Sequence, residues 1–248
     1  MELIVLGASA AYPYKGKACS GYLIKERKTN LLLDCGTGVL SNLFRWLNPM
    51  DLDAIVITHL HTDHFLDIYP LRYFLQYDSI PSLPLKVLAP PEASDFVCQL
   101  ISKKGREQFL ELFAFSSISE KIKFEIGHLK LYFYPVPHFV PTFGVRVEGK
   151  GRKLAYSSDC SYHPKVVNLA RGADMFICEA TLQQKDASLQ IGHLTARQAG
   201  EIAQQAKAKR LLLTHIWPPY DPLISKTEAQ EVFDGEVILA EENRRYEV

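Results

Sequence analysis

This sequence has only five cysteines and a formal net charge of zero, and each of these features argues against one class of protein. The five cysteines, Cys19, Cys35, Cys98, Cys160 and Cys178, are odd in number and dispersed, with no CxxC pair. We therefore expect reduced thiols rather than a disulfide framework or a cysteine-based zinc site. The 28 basic and 28 acidic residues cancel, which argues against a partner such as extended duplex DNA.

Long apolar runs and targeting features are also lacking. No apolar run reaches bilayer length, and the first residues, MELIVLGASA, enter a strand-like segment without the basic region of a signal peptide. From this we expect a cytoplasmic protein with no membrane association. The sequence shows no repeats, linkers or low-complexity segments, and 248 residues with 47% apolar content fit one globular domain over residues 1–248.

Histidine is rare as well, yet it is concentrated in one place. Only 8 of the 248 residues are histidine, and three of them fall with an aspartate in the segment ITHLHTDHFLDI: His59, His61, Asp63 and His64. The apolar run before this segment is typical of a buried strand, and the run after it has helical spacing, which places these side chains on a strand-to-helix turn. Imidazole and carboxylate suit Zn²⁺, and they suit Mn²⁺ and Fe²⁺ too.

Three further residues of metal-ligand type each follow an apolar, strand-like run, as His59 does. They are His138, Asp159 and His215. Since rigid strand ends hold metal geometry well, we predict one shared site with two Zn²⁺ ions per chain. In this prediction His59, His61 and His138 bind one ion, Asp63, His64 and His215 bind the other, and Asp159 bridges the two ions.

Other polar residues near this pattern have two interpretations each. His193 precedes a predicted helix start at Thr195, so it can protonate a leaving oxygen or bind a phosphate, or else make a local capping contact. Glu179 ends a strand and either orients a histidine or forms a buried ion pair. Asp34 either supports a ligating histidine or caps a turn. His128 and His163 lack such context and are interpreted as surface residues.

The order of predicted elements favours an α/β fold with four αββα layers. Strands are predicted near 2–7, 21–25, 30–34 and 85–89, with a helix over 39–46 and another that ends at Gly105. Residues 106–120 give no clear prediction. Four strand-like segments follow, then strands MFICEA and RLLLTH around a helix that has the capping-box residues Thr195 and Gln198. A helix over about 225–233 and the strand EVILA are predicted to close the chain.

The motif HLHTDH resembles the HxHxDH motif of the metallo-β-lactamase superfamily, and the resemblance spans nearly the entire chain. The sequence is most similar to the ribonuclease Z and phosphodiesterase branch, through LGASAAYP, LLLDCGTGVLSNL, PHFVPTFGVRV, YSSDC, GHLTARQAGEIA and LLLTHI. The resemblance implies the αββα fold, two zinc ions and attack of a metal-bound hydroxide on a small, cyclic or short nucleic-acid phosphodiester. It also implies that Asp63 is both ligand and candidate general base, that His193 is a general acid or phosphate contact, and that the protein forms a homodimer.

One departure from ribonuclease Z concerns the arm that those enzymes use to grip transfer RNA. Only 20 residues separate His138 from Asp159, and they are predicted to form two strands and a turn, so an arm of that kind cannot fit. Two other functions stay open. One is hydrolysis of a thioester or lactam; in one β-lactamase subclass a cysteine is a ligand, and here Cys160 lies next to Asp159, although the aspartate is in register. The other is a non-catalytic RNA- or protein-binding role.

Overall fold

The computed structural model describes residues 1–78, 83–189 and 191–248. The strands within these ranges are β1 (Glu2–Gly7), β2 (Gly21–Glu26), β3 (Thr29–Leu33), β4 (Ala54–Val56), β5 (Leu85–Ala89), β6 (Phe113–Ser117), β7 (Phe124–Ile126), β8 (Leu129–Val136), β9 (Thr142–Gly149), β10 (Arg152–Tyr156), β11 (Met175–Glu179), β12 (Arg210–Thr214), β13 (Glu236–Leu239) and β14 (Arg245–Glu247). The α-helices are α1 (Val39–Leu43), α2 (Thr62–Phe65), α3 (Ile68–Tyr77), α4 (Ala93–Cys98), α5 (Lys103–Leu112), α6 (Pro164–Ala170), α7 (Ala196–Ala206) and α8 (Pro222–Gln230).

The strands form two mixed sheets of seven strands each. The first has the order β14-β1-β2-β3-β4-β5-β6, and the second has the order β13-β12-β11-β10-β9-β8-β7. Three hydrophobic clusters separate the layers. One lies between the first sheet and helices α1, α3, α4 and α5, one lies between the sheets, and one lies between the second sheet and helices α6 to α8. The predicted αββα architecture is therefore confirmed.

Parallel strand pairing positions the functional residues. Strands β3 to β6 run parallel in the first sheet, and β10 to β13 run parallel in the second. The carboxyl ends of parallel strands meet at one edge of a sheet, where α/β proteins bind their ligands. Asp34, His59, Asp159 and His215 all follow strands of these two sets. We call this side of the fold the carboxyl edge.

Several local predictions are confirmed. Helix α7 begins with the expected capping box, in which Gln198 N donates to Thr195 Oγ1 at 3.2 Å and Thr195 N donates to Gln198 Oε1 at 2.9 Å. The segment between His138 and Asp159 forms the antiparallel pair β9 and β10. All five cysteines are buried and unpaired.

Other local predictions were wrong. The helix predicted to end at Gly105 is two helices, because Ser102 caps a new one by accepting a hydrogen bond from Gly105 N at 3.2 Å. Helix α1 ends at Leu43 rather than near 46, and helix α8 begins at Pro222, three residues early, because Asp221 accepts from Leu223 N. The chain closes with an additional strand, β14, which pairs with β1.

Across the described ranges, no helix has both the length and the apolar character needed to cross a membrane.

Candidate metal centre

The predicted strand-to-helix turn is present in the structure. Strand β4 ends at Val56, His59 is completely buried, and helix α2 begins at Thr62, so that Asp63 and His64 lie in its first turn. The neighbouring chain packs closely here. A Cβ atom at Gly36 would lie 1.9 Å from the backbone oxygen of Asp63, so this position requires glycine.

The structure brings the seven predicted ligands together in two groups that share Asp159. In each group, one ligand-type atom from every member lies within 4.8 Å of the others. The first group is His59, His61, His138 and Asp159, and the second is Asp63, His64, Asp159 and His215. Within the second group, His215 Nε2 lies 3.2 Å from Asp63 Oδ2 and His64 Nε2 lies 3.4 Å from Asp159 Oδ2. The predicted pairing of residues, with Asp159 between the two groups, matches this arrangement.

Left-handed backbone conformations at the strand ends help to aim these side chains. Asp34, Ser158 and His215 have φ values of 57°, 56° and 52°, and Ala11, next to the site, has 58°. Each such non-glycine residue carries strain of about 1–3 kcal/mol, which persists when the surroundings hold it. Four such residues next to one cluster mark it as a candidate functional site.

A protein oxygen contacts one ring nitrogen of most histidines in the cluster. His64 Nδ1 lies 2.8 Å from Asp34 Oδ2, and His215 Nδ1 lies 2.9 Å from Thr181 Oγ1. His138 Nδ1 lies 2.9 Å from the backbone oxygen of Gly192. Contacts of this kind fix the ring orientation and the tautomer, and they leave the other nitrogen for a metal.

Asp34 is the centre of the network behind the cluster. Besides His64, its carboxylate accepts hydrogen bonds from Thr58 N at 2.8 Å, Thr58 Oγ1 at 3.0 Å and Tyr156 Oη at 2.9 Å. Of the two interpretations of Asp34, the geometry therefore agrees with support of a ligating histidine rather than with a turn cap. Sequence reasoning missed Tyr156 and Ser158, whose Oγ lies 3.3 Å from His59 Nδ1. No local pattern marks them, because their contacts join the two sheets.

The donor atoms fit divalent cations. His59 Nε2, His64 Nε2 and Asp159 Oδ1 are buried, and none has a hydrogen-bond partner among the described residues. Buried polar atoms are normally satisfied, so three unpaired ones that converge indicate a missing partner. Burial and the nearby His64 lower the pKa of His59 well below its usual value, which keeps a ligand nitrogen free of a proton.

The charges within the cluster also fit a divalent cation. Burial opposes a charge on His64, but Asp159, Asp34 and Asp63 outweigh it and raise the pKa of His64 well above its usual value. Without a metal, the carboxylates therefore draw a proton onto this histidine. A divalent cation would take over that role, because metal ligands are deprotonated.

His193 lies beside the cluster and is held by Glu179. Its Nδ1 is 2.9 Å from Glu179 Oε1, and its ring centroid is 5.1 Å from that of His138. Burial alone would lower the pKa of His193, but the Glu179 carboxylate outweighs this and raises it to about 9. Both interpretations of Glu179 hold in one sense, because it orients a histidine through a buried ion pair.

Glu179, His193 and His215 also lie close enough to form a third metal-binding group. The hydrogen bonds of Glu179 argue against that use. Its two oxygens already accept from Cys160 N, Thr181 N and Thr181 Oγ1 as well as contacting His193. Cys160 itself is buried in the hydrophobic cluster between the second sheet and helices α6 to α8, and none of the ligand groups includes it.

The remaining histidines lie outside the cluster, as expected. His128 is exposed, and its backbone N–H donates to Thr29 Oγ1. His163 Nδ1 accepts from Lys165 N at 3.1 Å, at the start of helix α6.

Comparisons with known proteins agree with this geometry. Residues 29–216 match the Beta-lactamase superfamily domain, a range that contains all seven predicted ligands. The probable metallo-hydrolase YhfI of Bacillus subtilis is 31% identical, with 97% of each chain covered. Its crystal structure matches with a TM-score of 0.88, at 29% identity and with 100% of this chain and 98% of that chain covered.

Two other solved structures are similar over the full chain. Human short-form tRNase Z matches with a TM-score of 0.81 and 26% identity, covering 100% of this chain and 99% of that chain. A diphosphatase from the PhnP family matches with a TM-score of 0.78 and 18% identity, covering 100% and 97%, and it shows the same fold. On the family match and the identity to YhfI, this chain belongs to the β-lactamase superfamily and is similar to its metallo-hydrolases along its whole length.

Proposed function

We propose that the protein is a phosphodiesterase that hydrolyses a small, cyclic or short nucleic-acid phosphodiester with two divalent metal ions bound. The observation that carries the proposal is the complete set of seven ligand-type residues with His193 beside it, held by Glu179 at 2.9 Å. When bound, the two ions, Zn²⁺ or alternatively Mn²⁺ or Fe²⁺, would supply Lewis acidity and positive charge for an anionic phosphate.

In this proposal the protein side chains orient the substrate and move protons. Asp63 holds its carboxylate beside His215 and the backbone N–H of Ala11, 3.0 Å from Oδ2, so it can position a nucleophile and accept its proton. His193 uses Nδ1 on Glu179, which leaves Nε2 to donate a proton to the leaving oxygen.

The space around His193 suits a leaving group. A cavity of about 550 Å³ opens at this point, and its wall includes His138, Phe139 and His193. Hydrolysis of an ester with a poor leaving group needs a proton donor near the metal ligands. His193 meets this need, because it lies at the wall of a cavity beside those ligands.

The lactam and thioester alternative receives less support. The buried Cys160 does not stand at a ligand position, unlike the cysteine of one β-lactamase subclass. The short β9–β10 pair, in place of a long arm, favours a small substrate over a folded transfer RNA. The PhnP-family diphosphatase, named for phosphate chemistry, has the same fold.

The test is a substrate panel on protein reconstituted with Zn²⁺ or Mn²⁺. We expect turnover of bis-p-nitrophenyl phosphate, with little turnover of p-nitrophenyl phosphate or a chromogenic lactam. Lactam or thioester hydrolysis without diester turnover would overturn the proposal. Absence of both turnover and bound metal would favour the non-catalytic alternative.

His193→Asn tests the proton donor. General acid catalysis contributes about 10²- to 10⁴-fold, so the variant should lose about that much with a diester that has an alkoxide leaving group. It should lose much less with p-nitrophenolate, which departs without a proton. Equal losses on both substrates would contradict the assignment.

Two further expectations belong to this proposal. The buried, unpaired cysteines support a reducing, cytoplasmic location. A homodimer, the expectation from ribonuclease Z relatives, is checked by light scattering after size exclusion. It predicts twice the chain mass of 28.1 kDa, and a single-chain mass at working concentration would reject it.

A further inference from the structure

A second cavity opens at the carboxyl edge, one strand beyond the two groups of predicted metal ligands. Its volume is about 540 Å³, within the range of small-molecule sites. Thr214 and Ile216, on either side of His215, line it, and so does Ala240 at the end of β13. We call it the Trp217 cavity, after the largest side chain in its wall.

Aromatic rings supply much of this wall, and they are held in place. Trp217 meets the ring of Tyr12 edge-on at a centroid distance of 5.6 Å, and Tyr12 meets Tyr14 in the same way at 6.2 Å. The backbone N–H of Trp217 donates to the oxygen of Thr181 at 3.3 Å. Trp217, Tyr14 and Tyr220 line the cavity, and the ammonium groups of Lys15 and Lys185 lie 5.0 Å and 4.7 Å from the ring centroids of Tyr14 and Tyr220.

The charged residues of the wall are two lysines, Lys15 and Lys17, and two glutamates, Glu241 and Glu242. Glu242 accepts from Ala18 N at 2.6 Å, and Glu241 pairs with Arg244 at 2.7 Å, so both carboxylates already have partners. Lys15 and Lys17 are exposed at the cavity. In the described part of the chain, no carboxylate oxygen lies within 4.0 Å of either ammonium group.

Of the three segments that form the cavity, residues 8–17 contact the predicted ligand Asp63 and residues 213–222 include the predicted ligand His215. Ala11 N donates to Asp63 Oδ2 at 3.0 Å, and Ser9 and Tyr12 on either side of it are joined by a hydrogen bond of 2.9 Å. Ser9 also bridges to Ile216, the residue after His215. The wall of the Trp217 cavity and the predicted ligands therefore share these two segments of the chain.

We propose that the Trp217 cavity binds the aromatic heterocyclic base of a nucleotide diester, with Lys15 and Lys17 contacting its sugar-phosphate oxygens. The inference rests on the proposed phosphodiesterase function and names its substrate class. Bases stack on aromatic side chains whatever their sequence, and lysines add attraction for phosphate. An aromatic wall with two exposed lysines at its rim fits a nucleotide better than it fits an alkyl chain.

The kinetic test compares diesters that release the same leaving group. Adenosine and thymidine 5′-(p-nitrophenyl phosphates) carry a base, and methyl p-nitrophenyl phosphate does not. We expect the wild-type protein to prefer the nucleoside diesters in kcat/KM. Trp217→Ala should reduce that preference by about 10- to 100-fold, the loss expected from one stacking platform, and should leave the methyl diester within about 2-fold.

Two variants control for folding and for tryptophan substitution as such. Trp217→Phe keeps an aromatic face and should retain part of the preference. Trp46→Phe changes the other tryptophan, which contacts Asn243 rather than the cavity, and should change neither substrate. Loss of the methyl-diester activity in Trp217→Ala alone, with Trp217→Phe unchanged on every substrate, would argue for damage to the fold and against base binding.

A binding measurement decides the proposal without turnover. In Trp46→Phe protein, Trp217 is the sole tryptophan, and its fluorescence should be quenched saturably by adenosine monophosphate and not by ribose 5-phosphate. Equal kcat/KM for all diesters with no quenching would overturn the base site and leave the phosphodiesterase intact. No diester turnover at all would overturn the proposed function, and the quenching titration would still decide the cavity.

Discussion

Two buried carboxylates on neighbouring strands of the second sheet show how the two edges of the fold differ. Asp159 follows β10 at the carboxyl edge, and Asp174 precedes β11 at the opposite, amino edge. Asp174 accepts from Lys153 N at 2.8 Å, Lys209 Nζ at 2.8 Å and Arg152 at 3.2 Å. Asp159 faces histidines, and its Oδ1 has no hydrogen-bond partner among the described residues.

Low carboxyl pKa values arise in two ways in this fold. At both residues burial opposes the charge, yet the pKa is lowered, by Lys209 and neighbouring donors at Asp174 and by His215 and His64 at Asp159. At the amino edge, donors from the protein itself satisfy the Asp174 carboxylate. At the carboxyl edge, left-handed residues lie beside donor atoms that have no hydrogen-bond partner among the described residues, and the groups there can hold metal ions.

Replacing each carboxylate in turn is the strongest test of this contrast. Even residues that merely orient metal ligands cost about 10- to 100-fold in activity when changed. Asp159→Ala, which removes a group shared by both sets of ligands, should therefore lower kcat/KM for bis-p-nitrophenyl phosphate by more than about 100-fold. Asp174→Ala should stay within about 3-fold at a temperature where it is folded.

Metal content of the same two proteins, measured by atomic emission, completes this test. Asp159→Ala should bind less metal than the wild type, and Asp174→Ala the same amount. If both variants lost activity equally, the two edges would not divide function from stability.

Asp34→Asn sharpens the comparison within the carboxyl edge. The change keeps the shape of the side chain but removes the negative charge that holds His64 Nδ1 at 2.8 Å. We expect a loss of about 10- to 100-fold in zinc affinity or turnover. Tyr156→Phe, which removes one donor to Asp34 and adds no charge change, should lose less. Zinc titrations of the metal-free proteins with a competing chelator give the affinities.

Metal removal should destabilise the protein through the carboxyl edge alone. A ligand at 100 times its Kd stabilises a fold by about 2.7 kcal/mol, which for this size corresponds to a Tm shift of about 5–10 °C. We expect Zn²⁺ to raise the Tm of chelator-treated wild type by this order. Asp174→Ala should show the same rise and Asp159→Ala a smaller one, both by calorimetry. A full rise in Asp159→Ala would place the stabilising metal elsewhere.

The sequence predicts the parts of the site that local spacing or strand ends define. HLHTDH holds four candidate ligands within six residues, and His138, Asp159 and His215 each follow an apolar run, so their positions at strand ends predict that they converge with the motif. The structure explains this convergence, because β8, β10 and β12 run in the same direction and end at one edge of the second sheet.

What the sequence does not show depends on contacts between distant segments. Tyr156 reaches Asp34 across 122 positions, and the left-handed backbone of Ala11 and His215 follows from packing that no local rule describes. The same holds for helices α4 and α5, which the sequence predicts as one helix. Gly105, a residue typical of a helix end, lies instead in the first turn of α5, close to Arg72. The place of Trp217 in a cavity wall is likewise set by distant segments, since a single aromatic residue after a strand has no distinctive pattern.

The smallest effect we predict concerns the amino edge and its pH dependence. Asp174→Asn should lower stability at pH 7 by about 1 kcal/mol, because hydrogen bonds to a charged group are lost, although the exposed Lys209 and Arg152 reduce their value. The pKa of Asp174 in the fold lies below its ordinary value of 3.8. The folded state therefore binds this proton less readily than the unfolded state, and the contribution is present above pH 3.8 and lost as pH falls through the lower folded value. Tm values of both proteins between pH 7 and pH 3 should differ by a few degrees down to about pH 4 and then converge, whereas a gap that widens on acidification would mean that Asp174 is not a charged partner at this edge.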